Sequence, residues 1–171
     1  MKVLILIIIS YVLIISNCFS QQQKDYIITL DNGKVFCNIK GARLTRILCE
    51  IDNKRIEYKA KNILVYKNGD NVFESGKAKL VLGFRKWLFM QRAIIGDLNL
   101  YQISGNTSSY YYIRRSDNPR GIFLRLKRKN LKKICSDCPV FIDKINNDRQ
   151  GWLEIYKYVG FFNDNCGKKK K

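Results

Sequence analysis

Between residues 26 and 73 apolar and polar positions alternate in short runs, and turn residues interrupt the runs at close intervals, the period of antiparallel strands. Tyr26-Ile-Ile-Thr-Leu30 runs into Asp31-Asn32-Gly33, Val35-Phe-Cys-Asn-Ile39 into Gly41, and Ile47-Leu-Cys-Glu-Ile51 into Asp52-Asn53. Ile56-Glu-Tyr58 and Ile63-Leu-Val-Tyr66 follow, the latter turning at Asn68-Gly69 into Val72-Phe73. Alternation puts Val35, Cys37 and Ile39 on one face of their strand, and Ile47, Cys49 and Ile51 on one face of theirs. A meander this short, with an Asn-Gly turn, predicts a small antiparallel β-barrel-like domain over 21–76.

The next stretch, 77–166, predicts a second antiparallel sheet and then helices. Its strand candidates are Trp87-Leu-Phe-Met90, Ala93-Ile-Ile95, Leu98-Asn-Leu-Tyr-Gln-Ile103, Tyr110-Tyr-Tyr-Ile113 and Ile122-Phe-Leu-Arg-Leu126. After Lys127 the period becomes helical. Leu131-Lys-Lys-Ile134 reads as a short turn of helix, and Asp137 as an N-cap with Pro139 in the first turn of a helix reaching about Asn146. A final helix starts near Gly151, where Trp152, Ile155, Tyr156, Val159, Phe162 and Cys166 share one apolar face. The last two helices make a hairpin, and 167–171 form a basic tail. The expected class is therefore α+β.

The first twenty residues belong to another category. Met1-Lys2 is a minimal positive segment, followed by a run of thirteen residues from Val3 to Ile15 broken only by Ser10 and Tyr11. A membrane-spanning helix needs about 20 apolar residues, so this run fits a signal peptide over 1–20. Cleavage before Gln21 has Cys18 and Ser20 at the small-residue positions. The competing reading is lipidation, because Ile15-Ser16-Asn17-Cys18 resembles a bacterial lipobox in which Cys18 is acylated, although Asn17 stands where a small residue is usual. Simple secretion is the preferred of the two. With no transmembrane span in the mature chain, the expected location is exported: periplasmic, outer-membrane-associated or secreted.

Export changes how the cysteines are read. Of six, Cys37, Cys49, Cys135, Cys138 and Cys166 remain after the leader, and an oxidising compartment favours disulfides among them. Cys166 ends the apolar face of the last helix, within reach of Cys138 at the start of the preceding one. A bond between them would close a loop of roughly thirty residues, worth on the order of 3 kcal/mol in the loop-entropy description. Cys37 and Cys49 face each other if a hairpin turn lies near Arg43, either as a cross-strand disulfide or as two thiols packed as small apolar groups. Cys135 has no assigned role.

Several residues of the second half carry a resemblance. Gly96-Asp-Leu-Asn-Leu-Tyr101, Tyr111-Tyr112-Ile113, Leu131-Lys-Lys-Ile-Cys-Ser-Asp-Cys-Pro139 and a closing helix ending at Cys166 are similar to an uncharacterised secreted envelope family of Bacteroidota. The resemblance implies an envelope location and a Cys138–Cys166 pair, and it implies no activity. The first half, from Leu30-Asp-Asn-Gly-Lys34 onward, resembles small SH3-like or Sm-like barrels in a generic way.

Chemistry is narrowed mainly by absence. The chain has no histidine, which removes Ser-His-Asp and Cys-His nucleophile systems and the common zinc ligand sets. Cys135-Ser-Asp-Cys138 is formally C-x-x-C but lacks a βαβ context, and neither it nor Cys166 completes a metal site. Glu50, Glu57, Glu74 and Glu154 show no spacing that singles out a facing catalytic pair. The expectation is a protein without catalytic residues, metal or cofactor, and its rival is a carboxylate-dependent envelope hydrolase.

The charge is more informative. Lys and Arg total 32 against 14 Asp and Glu, a net +18. Between residues 110 and 133 nine basic side chains face Asp117 alone. Arg114, Arg115, Arg120, Arg125 and Arg128 are the candidate polyanion-binding residues, with tyrosines beside them that could stack on a ligand. Their expected partner is an anionic glycan, lipid headgroups or an envelope protein; nucleic acid is disfavoured by the compartment. The alternative is an ordinary solvated basic face.

Overall fold

A computed structural model describes residues 25–79, 84–104, 109–118, 121–147 and 155–167. The expected leader over 1–20, Cys18, Arg120, Glu154 and the expected basic tail over 168–171 lie outside the described residues. Among the described residues, eleven strands and three helices follow in order. The strands are β1 (Tyr26–Thr29), β2 (Lys34–Phe36), β3 (Asn38–Arg43), β4 (Arg46–Ile51), β5 (Lys54–Lys59), β6 (Ile63–Asn68), β7 (Asn71–Lys79), β8 (Arg85–Ile94), β9 (Leu98–Ser104), β10 (Ser109–Arg115) and β11 (Leu124–Arg125). The helices are α1 (Arg128–Ile134), α2 (Pro139–Asn147) and α3 (Ile155–Asn165).

The class is α+β, but the architecture differs from the expectation. An eight-stranded antiparallel sheet has the order β11-β10-β9-β8-β7-β6-β1-β2, and a separate three-stranded sheet the order β3-β4-β5. No barrel closes over the first half. The cause lies at Cys37, where the run 35–39 splits between the two sheets. Asp25 accepts the Cys37 N–H at its carbonyl (3.1 Å), and its carboxylate accepts those of Ile39 (3.4 Å) and Gly69 (2.8 Å). The chain is held there while β3 turns away to begin a second layer. Strand β7 crosses the 76/77 boundary, so one sheet takes strands from both sides of it.

The small sheet lies on one face of the large one. Ile47 and Cys49 from β4 pack with Ile27, Ile63, Tyr66 and Phe89. Its tight hairpin uses Asp52 and Asn53, both with positive φ (48° and 60°), a twist that matches the flanking strands. Farther along the same face Leu98, Leu100 and Ile113 meet Leu131, Phe141, Ile145, Val159 and Phe162 from the helices. Each large side chain removed from water in this way contributes roughly 1.5–3 kcal/mol. Asn163 fastens α3 to the sheet: its Oδ1 accepts the Leu98 N–H (2.8 Å) and its Nδ2 donates to the Leu98 carbonyl (3.0 Å).

The opposite face is concave. Strands β7 to β11 curl until Phe123 donates its N–H to the Lys77 carbonyl (2.9 Å) and bridges Ala78 in parallel. The hollow holds Leu88, Met90, Tyr101, Ile103, Tyr112 and Phe123. Gly76 permits the curl, because a Cβ there would lie 2.4 Å from the Phe123 ring.

The expected helical hairpin is present with a third helix, α1, before it. Val159 and Phe162 are buried as the apolar face requires, whereas Tyr156 is 40% exposed and touches Tyr111 edge-on. The helix start near Gly151 lies outside the described residues. Cys138, just before α2, is bonded to Cys166, just after α3, across 28 residues of sequence. Non-reducing peptide mapping is expected to join these two, and Cys138→Ser to cost about 3–4 kcal/mol of stability. A Cys135–Cys138 link would contradict this arrangement.

Candidate functional site

The most unusual local chemistry is a carboxylate inside the sheet. Glu74 stands in β7, opposite Val65 of β6 and Met90 of β8, with only 12% of its side chain exposed. An isolated carboxylate there would be costly, and three neighbours compensate it. Arg92 donates to Glu74 Oε1, Arg114 Nη2 donates to Oε2, and the Tyr101 hydroxyl donates to Oε2 at 2.8 Å. Register explains the convergence: Arg92 pairs with Tyr101, Tyr101 with Tyr112, and Arg114 follows two residues later on the same face.

Arg114 is the most enclosed charge of the group, its side chain 4% exposed. Its guanidinium stacks over Phe123 (4.4 Å to the ring centre) and lies 5.1 Å from that of Tyr101. Burial lowers it from its ordinary range to about 10, so it is charged at neutral pH. Nη2 also donates to the Tyr101 oxygen (3.1 Å), Nη1 makes a long bond to the Ser75 carbonyl (3.4 Å), and Nε has no hydrogen-bond partner among the described residues.

A cavity of about 460 Å³ opens beside this cluster. It lies where β6 and β7 stop pairing, since Val65–Glu74 ends their ladder while β7 continues along β8. Glu74, Ser75 and Arg114 form its buried side, and Arg92 is partly exposed there. Leu30, Leu64, Val65 and Trp87 give it apolar walls, with Asn32 and Lys61 at the exposed rim.

The arginines singled out by charge density are divided among environments. Alternation along β10 sends Arg114 into the concave face and Arg115 to the other, where it pairs with Asp137 (3.0 Å) and Asp117 (3.7 Å) and stacks over Phe162. Arg125 lies over the Tyr110 ring (5.0 Å), and Arg128 opens α1. A different basic set is exposed: Lys127, Lys129, Lys132 and Lys133 on and beside α1, none of them in an ion pair among the described residues. Buried Leu131 docks that helix on the core, leaving the lysines to project outward.

Charge density along the chain missed Glu74 and Arg92. The available signal was a lone acid inside a strand, directly after Val72-Phe73 and two residues before Gly76. Comparison with known protein-family models, with curated proteins and with solved structures finds no match to this chain. Any functional reading therefore rests on the residues themselves.

Cys37 and Cys49 are thiols in hydrogen-bonding contact, and Cys135 is a thiol packed among the helices. Burial raises all three; for Cys135 the level is about 12, with Arg115 pulling it down and Asp137 pushing it up. Burial also raises Tyr66 and Tyr101. Between pH 9, where an unfolded thiol ionises, and pH 12 the unfolded chain therefore binds fewer protons than the folded one. These groups contribute stability that is complete below pH 9 and is lost as pH rises towards 12. Arg114 has the opposite sign above pH 10, as one group against several. Urea unfolding is expected to give a free energy that falls between pH 9 and 12, and less steeply in Cys135→Ala. A free energy that rises over that interval would contradict the assignment.

Proposed function

We propose that the chain is an exported, non-catalytic binding module for an anionic component of a bacterial envelope, a glycan or lipid headgroup. The observation that carries this reading is the exposed lysine set of α1, basic side chains on a docked helix with no acidic partner among the described residues. Positive charges gathered on one surface draw polyanions through long-range attraction without requiring a cleft. The Cys138–Cys166 bond supports an oxidising compartment, in keeping with the leader and with the resemblance to an exported Bacteroidota family.

The three glutamates among the described residues support binding over hydrolysis. Glu50 pairs with Lys40 (3.4 Å) and Arg55 (3.9 Å), Glu57 with Arg46 (3.1 Å), and Glu74 with Arg92 and Arg114. Glycoside hydrolysis needs two carboxyls facing each other across the substrate, whereas these three are each engaged by cations.

The test compares two variants that each lose three charges. One carries Lys127→Gln, Lys129→Gln and Lys132→Gln; the other carries Lys54→Gln, Lys59→Gln and Lys86→Gln, exposed positions on other elements. Binding to alginate or to phosphatidylglycerol vesicles is expected to weaken at least about tenfold more in the first, since each surface cation contributes about 1 kcal/mol. It should also fall with salt in the parent protein. Equal losses in the two variants would mean diffuse electrostatics and would overturn the reading.

A further inference from the structure

The cavity beside Glu74 is lined by no residue of α1 and has its own chemistry. We propose that it is a binding site for a small amphipathic monoanion, a carboxylate carried on a compact apolar body. This goes beyond surface attraction to polymers, because the ligand enters the fold and is matched in both charge and polarity.

Charge counting gives the valence. The cluster contains two guanidinium groups and one carboxylate, so it has one positive charge in excess. Glu74 is saturated by Arg92, Arg114 and Tyr101, and has little capacity left to bind a cation. Lys61 adds a screened charge at the rim. A single anionic head answers the enclosed excess; a dianion would exceed it.

Donor counting gives the head group. A guanidinium offers five N–H donors in a planar fork that matches a carboxylate. Arg114 commits Nη2 to Glu74 and Tyr101, engages Nη1 only weakly and keeps Nε buried, so it contributes mainly charge and the accessible donors are those of Arg92. Arg92 engages Glu74 through Nε and Nη2 and has 29% of its side chain exposed at the cavity. The walls give the body: Leu30, Leu64, Val65 and the Trp87 indole favour hydrocarbon or an aromatic ring over a polyhydroxylated one. The volume, about 460 Å³, lies in the range of about 300–1,000 Å³ that holds compact organic molecules.

The experiment is calorimetric titration of the full chain with octanoate, 3-phenylpropionate, acetate, glucuronate and 1-octanol. Octanoate or phenylpropionate is expected to bind one per chain, at least about tenfold tighter than acetate, glucuronate or octanol, because both the head and the body are needed. The first two separate an aliphatic from an aromatic body, and tight binding of either supports the site. Arg92→Gln should weaken the better ligand at least about tenfold, whereas Arg85→Gln, the same charge change at the exposed start of the same strand, should change it less than about twofold. Leu64→Trp, which fills the cavity without touching the charges, should also weaken it. Acetate or octanol binding as tightly as octanoate, glucuronate binding more tightly, or equal effects of Arg92→Gln and Arg85→Gln would each overturn the proposal. The α1 lysine variant tests the surface reading alone, so the two can fail separately.

Discussion

A single buried carboxylate organises the curled half of the large sheet. Glu74 draws in Arg92 from β8, Tyr101 from β9 and Arg114 from β10, and these bonds need the three strands to bend around β7. Breaking one partner of such a buried pair typically costs about 3–5 kcal/mol, because the other charge is left without compensation. Gly76, two residues on, leaves room for Phe123 to cover the hollow, and Phe123 in turn stacks on Arg114. Polar closure at one end of the hollow and apolar filling of the rest therefore depend on the same few residues of β7. The end of the β6–β7 ladder leaves a cavity beside them, so charge pairing and site formation share one cause.

Much of the local structure was legible in the sequence. The alternation of Ile47, Cys49 and Ile51 and the Asp52-Asn53 turn specify β4, its hairpin and its buried face. The helical face of Val159 and Phe162 places Cys166 where it meets Cys138. The partition of strands between sheets was not legible, because alternation records which face is buried and not which sheet buries it. Asp25, which splits the run at Cys37, acts through hydrogen bonds to residues 37, 39 and 69 that no local pattern encodes.

The arginine cluster shows the same limit from another side. Charge density treats Arg114 and Arg115 as neighbours, yet strand alternation separates them by the thickness of the sheet. In Tyr-Tyr-Tyr-Ile-Arg-Arg both faces are apolar, so the sequence does not reveal that Arg114 goes inward to Glu74 and Arg115 to Asp137. The lysines of α1 escape this ambiguity. One buried anchor, Leu131, leaves the lysines on the outer side of a short helix.

The central claim is that Glu74 and Arg114 act as one unit, and a double-mutant cycle measures this directly. Urea unfolding of Glu74→Gln, Arg114→Met and the double variant would give the two single costs and their coupling. The account predicts about 3–5 kcal/mol for each single substitution and a double cost smaller than their sum by more than about 1 kcal/mol. Additive effects, each below about 1 kcal/mol, would mean that the pair does not hold the curled sheet together.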